Sequence, residues 1–146
     1  PSLLDFGPDM DRGIAVYPPK AGAKLQAYVS AIDADGNEVA GVIPVETAAP
    51  LATFTGWHPR HPDQGAAGDL MQMRGSTLVF PRTPAEREKS GDPRRSIAER
   101  YASRAAYLDA VRAAAQKLIA ARHVLAEDMD AILARAELRW DYLHSV

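Results

Sequence analysis

The hydrophobic positions of the chain follow two different periods, which meet near residue 83. After that point apolar residues recur every three or four positions, the spacing of one face of an α-helix. One such stripe runs through residues 104–123 and a second through residues 127–143. An apolar helical stripe can be kept for a partner, but it usually faces a core. We therefore expect Leu118 and Trp140, one from each stripe, to be buried.

Polar residues in the helical region predict where its helices begin. Thr83 precedes Pro84, a favourable first residue of a helix, and Gly91 then provides a stop. Ser96 is followed three residues later by Glu99, the pattern of a capping box. Ser103 stands directly before the first apolar stripe. These signals predict three or four helices within residues 84–146.

Residues 1–83 have shorter apolar runs that alternate with polar positions. Asp33–Asn37 is rich in residues that tolerate turn backbone, so the pattern predicts a β-hairpin over residues 24–45. The run GSTLVFPRT predicts one further short strand. The sequence thus predicts an α+β fold. A strand-and-loop region, residues 1–83, precedes a helical region, residues 84–146, and the two form one unit or a fragment of a larger domain.

The segment DADGNE of the predicted turn also has the start of a calcium-binding loop, because Asp33, Asp35 and Asn37 occupy alternate positions. A complete loop of that kind needs a glutamate at its twelfth position, where this chain has Pro44. We therefore interpret the segment as a turn.

Residues 54–65, FTGWHPRHPDQG, are the most unusual loop of the chain. His58 and His61 each precede a proline, which favours extended backbone, so their side chains are expected on opposite sides. That argues against a metal site. We predict a structural loop in which Trp57 covers core, with contact to a ligand as the alternative. The candidate ligand-binding residues are Trp57, His58 and Arg60.

Composition excludes several classes of function. The 146 residues are 47% hydrophobic and carry a formal net charge of −2, which gives no electrostatic reason to expect nucleic acid or an anionic membrane. There is no cysteine, and no motif for a cofactor such as a dinucleotide. No serine lies in a G-x-S-x-G turn. The residues therefore predict no catalytic site, no metal and no cofactor within this chain.

The most distinctive string of the chain is TPAEREKSGDPRRSIAERY, and three further segments are DFGPDMDRGI, DADGNEVAGV and PLATFTGW. Together these segments resemble the C-terminal region of bacterial α/β-hydrolase domain-containing proteins. Members of that family often have Asn-Leu-Arg after the Thr-Gly-Trp, where this chain has His58-Pro59-Arg60. No role is therefore transferred to His58.

The resemblance implies a serine hydrolase that cleaves esters, with its nucleophile and catalytic histidine upstream of these residues. The chain would then be the C-terminal portion of a larger α/β-hydrolase fold, without a catalytic residue of its own. It would pack on the upstream core of the same protein or border the cleft for a small-molecule ester. The alternative is a separately folded, non-catalytic module for binding or self-association.

Overall fold

A computed structural model describes residues 2–26 and 28–145. The chain divides into two compact units, Pro1–Ser30 and Ala31–Val146. The division between the two units lies at residue 30, and the change in hydrophobic period near residue 83 lies inside the second unit. The reason is that the core of the second unit combines Leu51 and Phe80 with Ile97 and Val111 from the helical region.

The first unit contains a two-stranded antiparallel sheet formed by β1 (Ser2–Asp5) and β2 (Lys20–Lys24). Leu4 lies opposite Ala21, and Asp5 lies opposite Lys20. None of the described residues of this unit is buried. Its exposed large apolar side chains are Leu3, Leu4, Met10, Ile14, Val16, Tyr17, Leu25, Tyr28 and Val29. The described residues of this unit therefore form no core of their own. An isolated two-stranded sheet without a core is only marginally stable in water.

The predicted hairpin over residues 24–45 is wrong in its strands. Lys24 ends β2, and the described residues from Leu25 to Pro44 form only an isolated bridge between Ile32 and Glu38. The predicted turn is present, since the Asp33 N–H donates to the Asn37 carbonyl over 2.9 Å. The strands fail because the Asn37 side chain bonds to a different strand instead, and the flanking apolar residues stay exposed.

The second unit contains the other two-stranded sheet, β3 (Ala52–Thr55) and β4 (Ser76–Val79), which run antiparallel. The strand predicted from GSTLVFPRT is confirmed as β4. Asn37 lies against β3: its Nδ2 donates to the Ala52 carbonyl over 3.1 Å, and its Oδ1 accepts from the Phe54 N–H over 2.8 Å. Consecutive residues of a strand direct their backbone N–H and C=O groups to opposite edges. Ala52 and Phe54 therefore share the edge that faces away from β4, and Asn37 occupies that edge.

The described part of the second unit also contains five α-helices and two short 3-10 helices, Pro62–Gln64 and Ala126–Asp128. The α-helices are α1 (Val45–Ala48), α2 (Pro84–Ser90), α3 (Ile97–Arg100), α4 (Arg104–Ala120) and α5 (Met129–Ser145). Four of them fall within residues 84–146, as predicted. None of the helices in the described residues is long and apolar enough to cross a membrane.

The predicted helix starts are confirmed in detail. The Thr83 hydroxyl accepts from the Glu86 N–H, and Ser103 caps α4 in the same way through the Ala106 N–H. Ser96 and Glu99 form the reciprocal bonds of a capping box. The stop at Gly91 is also confirmed, because this residue adopts a left-handed φ of 67° at the end of α2.

The core of the second unit lies where α1, α3, α4, α5 and the β3–β4 sheet meet. Its buried residues are Val45, Ala49, Leu51, Phe80, Ile97, Tyr107, Val111, Ala115 and Ala136. Leu118 and Trp140 pack against this core but are only half-buried, so the expectation that both are buried is corrected. The core is small, and the two long helices cover only part of each other's apolar stripe.

Candidate functional site

The candidate site lies in the loop of residues 56–75 that joins β3 to β4, called the connecting loop below. Its two arms run side by side: the Arg60 N–H donates to the Asp69 carbonyl over 3.0 Å, and the Met71 N–H donates to the His58 carbonyl over 2.7 Å. Pro59 therefore pairs with Leu70 in an isolated antiparallel bridge. This arrangement agrees with the extended backbone that the prolines predict.

Hydrogen bonds close the connecting loop at its neck, where the two strands end. The Thr55 hydroxyl donates to the Trp57 carbonyl over 2.6 Å and accepts from the Ser76 N–H over 3.1 Å. Gly75 must be glycine here, because a Cβ at this position would overlap the Thr55 carbonyl oxygen. The neck therefore has a fixed geometry.

Trp57 does not cover the core, which corrects the sequence prediction. It is 51% exposed. The strand pairing ends at Thr55 and Ser76, so the indole lies beyond the last strand pair and has no core beneath it. Its exposed ring is free to contact a ligand or another surface.

His58 forms a contact that sequence reasoning missed. Its Nδ1 lies 2.9 Å from the Ser76 hydroxyl oxygen, which also lies 3.2 Å from the Trp57 carbonyl. A histidine beside a serine is the arrangement of a nucleophile and its base. Such a base also needs a third group that orients it, and in the described part of the chain no carboxylate bonds to the His58 ring.

The polar groups at the neck can be satisfied with either tautomer of His58. With the hydrogen on Nδ1, this nitrogen donates to the Ser76 oxygen and the Ser76 hydroxyl donates to the Trp57 carbonyl. With the hydrogen on Nε2, Nδ1 accepts from the Ser76 hydroxyl, and the Trp57 carbonyl still accepts from the Thr55 hydroxyl. The His58–Ser76 contact thus orders the neck of the loop.

The rings of His61 and His58 bond to different groups. Its Nδ1 accepts from the Asp63 N–H over 3.3 Å and so caps the short 3-10 turn Pro62–Gln64. The described residues contain no group of three or more His, Asp or Glu side chains that could hold a metal ion.

The side chain of Arg60 has one buried N–H group without a hydrogen-bond partner among the described residues. One Nη2–H donates to the Gln64 carbonyl over 3.1 Å, whereas the buried Nε has no partner among the described residues. An unpaired buried donor costs about 1–3 kcal/mol. Alternation along the extended segment puts Arg60 and His58 on one side and Trp57 on the other. The three predicted ligand-binding residues therefore share a loop but not a face.

A second polar cluster joins the turn at Asp33–Asn37 to the helical region. Nη1 and Nη2 of Arg100 both donate to the Asp35 carboxylate, with 2.7 Å between Nη1 and Oδ2. Arg94 pairs with Asp92, with 2.6 Å between Nη2 and Oδ2. The two guanidinium groups lie over the ring of Phe80, with 4.2 Å to the ring centroid for Arg100 and 5.1 Å for Arg94.

This cluster explains why the DADGNE segment is a turn. The Asp33 carboxylate accepts from the N–H groups of Asp35 and Asn37, and the Asp35 carboxylate is taken by Arg100. The carboxylates that a calcium ion would need are committed to other partners. At the other pair, the hydrogen bond from Arg94 holds the pKa of the Asp92 carboxyl below its usual value.

Comparison with known families shows where this chain belongs. A family described as alpha/beta hydrolase domain matches residues 10–134. The chain therefore belongs to the alpha/beta hydrolase domain family, which confirms the resemblance at the level of the family. No curated protein and no solved structure matches the chain.

Proposed function

We propose that the chain is the C-terminal, non-catalytic portion of an ester-cleaving serine hydrolase. The family match over residues 10–134 carries this proposal. In α/β-hydrolases the nucleophilic serine sits on a sharp turn between a strand and a helix. The described sheets are two antiparallel pairs, and neither pair leads from a strand through a serine turn into a helix.

Ser76 is the serine whose contacts come nearest to those of a nucleophile, and its surroundings argue against that role. It begins β4 instead of following a strand, and its N–H is used by Thr55. Its hydroxyl bonds to the Trp57 carbonyl beside a histidine that lacks an orienting carboxylate. The nucleophile and its base then belong to the upstream hydrolase core of the same protein.

Two features support a role beside that core. The first unit exposes large apolar side chains and has no buried residue among those described, as expected of a surface covered by a further part of the protein. The connecting loop is held rigidly at its neck and presents the Trp57 indole to solvent. A loop of this kind on a fixed scaffold suits the border of a cleft for a small-molecule ester.

The test combines active-site labelling with intact mass. The native protein is treated with a fluorophosphonate, which labels activated serines, and we expect a labelled species larger than the 15.8 kDa of this chain. The isolated chain should be unlabelled and should not hydrolyse p-nitrophenyl butyrate.

Matched serine variants complete the test. Ser76→Ala should leave the labelling of the native protein unchanged, as should Ser90→Ala on the exposed side of α2. Labelling of the isolated chain that is lost only in Ser76→Ala would make Ser76 a nucleophile. An unlabelled native protein of 15.8 kDa that self-associates would instead support a binding or assembly module.

A further inference from the structure

A second candidate site lies away from the connecting loop, between residues 41–43 and the helix α4. It is a groove with a volume of about 640 Å³. Small-molecule sites commonly have volumes of about 300–1,000 Å³. We call it the alanine groove, because Ala110, Ala113 and Ala114 form its floor. All of its lining residues belong to the second unit.

The walls of the alanine groove are apolar and open to solvent. Val42 is 55% exposed and, with the half-buried Ile43, forms one side, while Leu118 of α4 contributes to the other. The alanines have no side chain beyond Cβ, so α4 leaves the space between these walls unfilled. An aliphatic chain lying in the groove would remove apolar surface on both sides from water, which is favourable.

One ammonium group and one imidazole lie together at one part of this groove. Lys117, in the last turn of α4, and His123, just after the helix, both contribute to its lining. Neither side chain forms an ion pair with an acidic group in the described part of the chain, and no acidic residue lines the groove. The groove is therefore complementary to a ligand with an apolar body and a negative end.

The helix dipole of α4 acts against an anion here, because the C-terminal end of a helix is partly negative. Backbone hydrogen bonds reduce this effect. The carbonyls of Lys117, Leu118 and Ile119 accept from the N–H groups of Ala121, His123 and Arg122 respectively, over 2.9–3.0 Å. With those carbonyls already paired, the ammonium group of Lys117 sets the sign of the local charge.

We propose that the alanine groove binds a soluble, medium-chain aliphatic carboxylate. The carboxylate lies at Lys117 and His123, and the alkyl chain lies along Ala113 and Val42. This binding does not depend on where the hydrolase nucleophile lies, so it can fail or succeed independently of the proposed function.

The experiment is a calorimetric titration of the 146-residue chain with octanoate below its micelle concentration. We expect saturable binding with unit stoichiometry. Lys117→Met, which keeps the apolar stem and removes the charge, should weaken binding by about two- to fivefold, the ratio that an ion pair of an exposed lysine supports. Ala113→Phe should abolish binding by filling the groove, and position 113 is exposed, so the fold should tolerate it.

Matched controls lie elsewhere on the helices. Lys89→Met on α2 and Ala134→Phe on α5 change the same residue types at exposed positions and should leave octanoate binding unchanged. Circular dichroism verifies that each variant is folded. If Ala113→Phe is unfolded, Lys117→Met decides.

Three results would overturn the proposal. One is the absence of saturable octanoate binding by the wild-type chain. Another is equal binding of octyltrimethylammonium, which has the same alkyl chain but the opposite charge. The last is octanoate binding that persists unchanged in folded Lys117→Met and Ala113→Phe, which would place the site elsewhere.

Discussion

Replacing Asn37 by alanine should destabilise the second unit more than any other substitution in its turn. Asn37 is 1% exposed, and its side chain makes both a donor and an acceptor bond to the backbone of β3. Alanine would remove both bonds and leave the Ala52 carbonyl and the Phe54 N–H without partners. A buried polar group left unpaired costs about 1–3 kcal/mol.

The expected loss in the free energy of unfolding is about 2–4 kcal/mol, because water can reach the half-buried Phe54 and recover part of the cost. Urea denaturation followed by tryptophan fluorescence measures it. Asn37→Asp should cost a similar amount, since it keeps the acceptor for Phe54 but sets an oxygen against the Ala52 carbonyl. Gln72→Ala, at an exposed loop position, is the control. A loss below about 0.5 kcal/mol for Asn37→Ala, the range of surface substitutions, would refute the reasoning.

Three further predictions concern side chains around the same core. Arg100→Met should cost about 3 kcal/mol in urea denaturation, because it leaves the Asp35 carboxylate half-enclosed and unpaired; a loss near zero would contradict this. The pKa of Asp92 is lowered by Arg94, so its stabilisation is full above about pH 4 and is lost as the pH falls further. Unfolding measured from pH 5 to pH 2 should therefore show a weaker acid dependence in Asp92→Asn, and an identical dependence would argue against it. Leu118→Ala should cost about 2 kcal/mol, the low end for core leucines, because the residue is only half-buried; a cost above about 4 kcal/mol would show full burial.

The helices could be predicted because their signals are local. Ser96 and Glu99 complete a capping box within four residues, and Thr83 and Ser103 each bond to an N–H three residues away. Such bonds depend little on the rest of the chain. The pairing of the strands could not be predicted in this way, because each strand pairs with a segment far away in the sequence. Lys24 pairs with Ser2, and β3 pairs with a strand beyond the connecting loop.

The contacts of the candidate site were unpredictable for the same reason. His58 and Ser76 are 18 positions apart in the sequence, and only the register of β3 against β4 brings them together. The pair of guanidinium groups over Phe80 likewise depends on how α3 and its approach pack against the sheet. The prolines did predict the extended backbone at His58, because their effect is confined to the preceding residue.

Because its neck is closed by hydrogen bonds, the connecting loop should tolerate changes in the sequence of its tip. The hydrogen bonds that fix its two ends involve Thr55, Trp57, His58 and Ser76, and the backbone bonds that pair its arms end at Arg60 and Asp69. Neither set involves the residues from Pro62 to Gly68. Each doubling of a flexible loop's length costs only about 0.6 kcal/mol. Insertions, deletions or a grafted peptide between these positions should therefore leave the β3–β4 sheet intact. This loop is where the chain can acquire a new recognition sequence without refolding its scaffold.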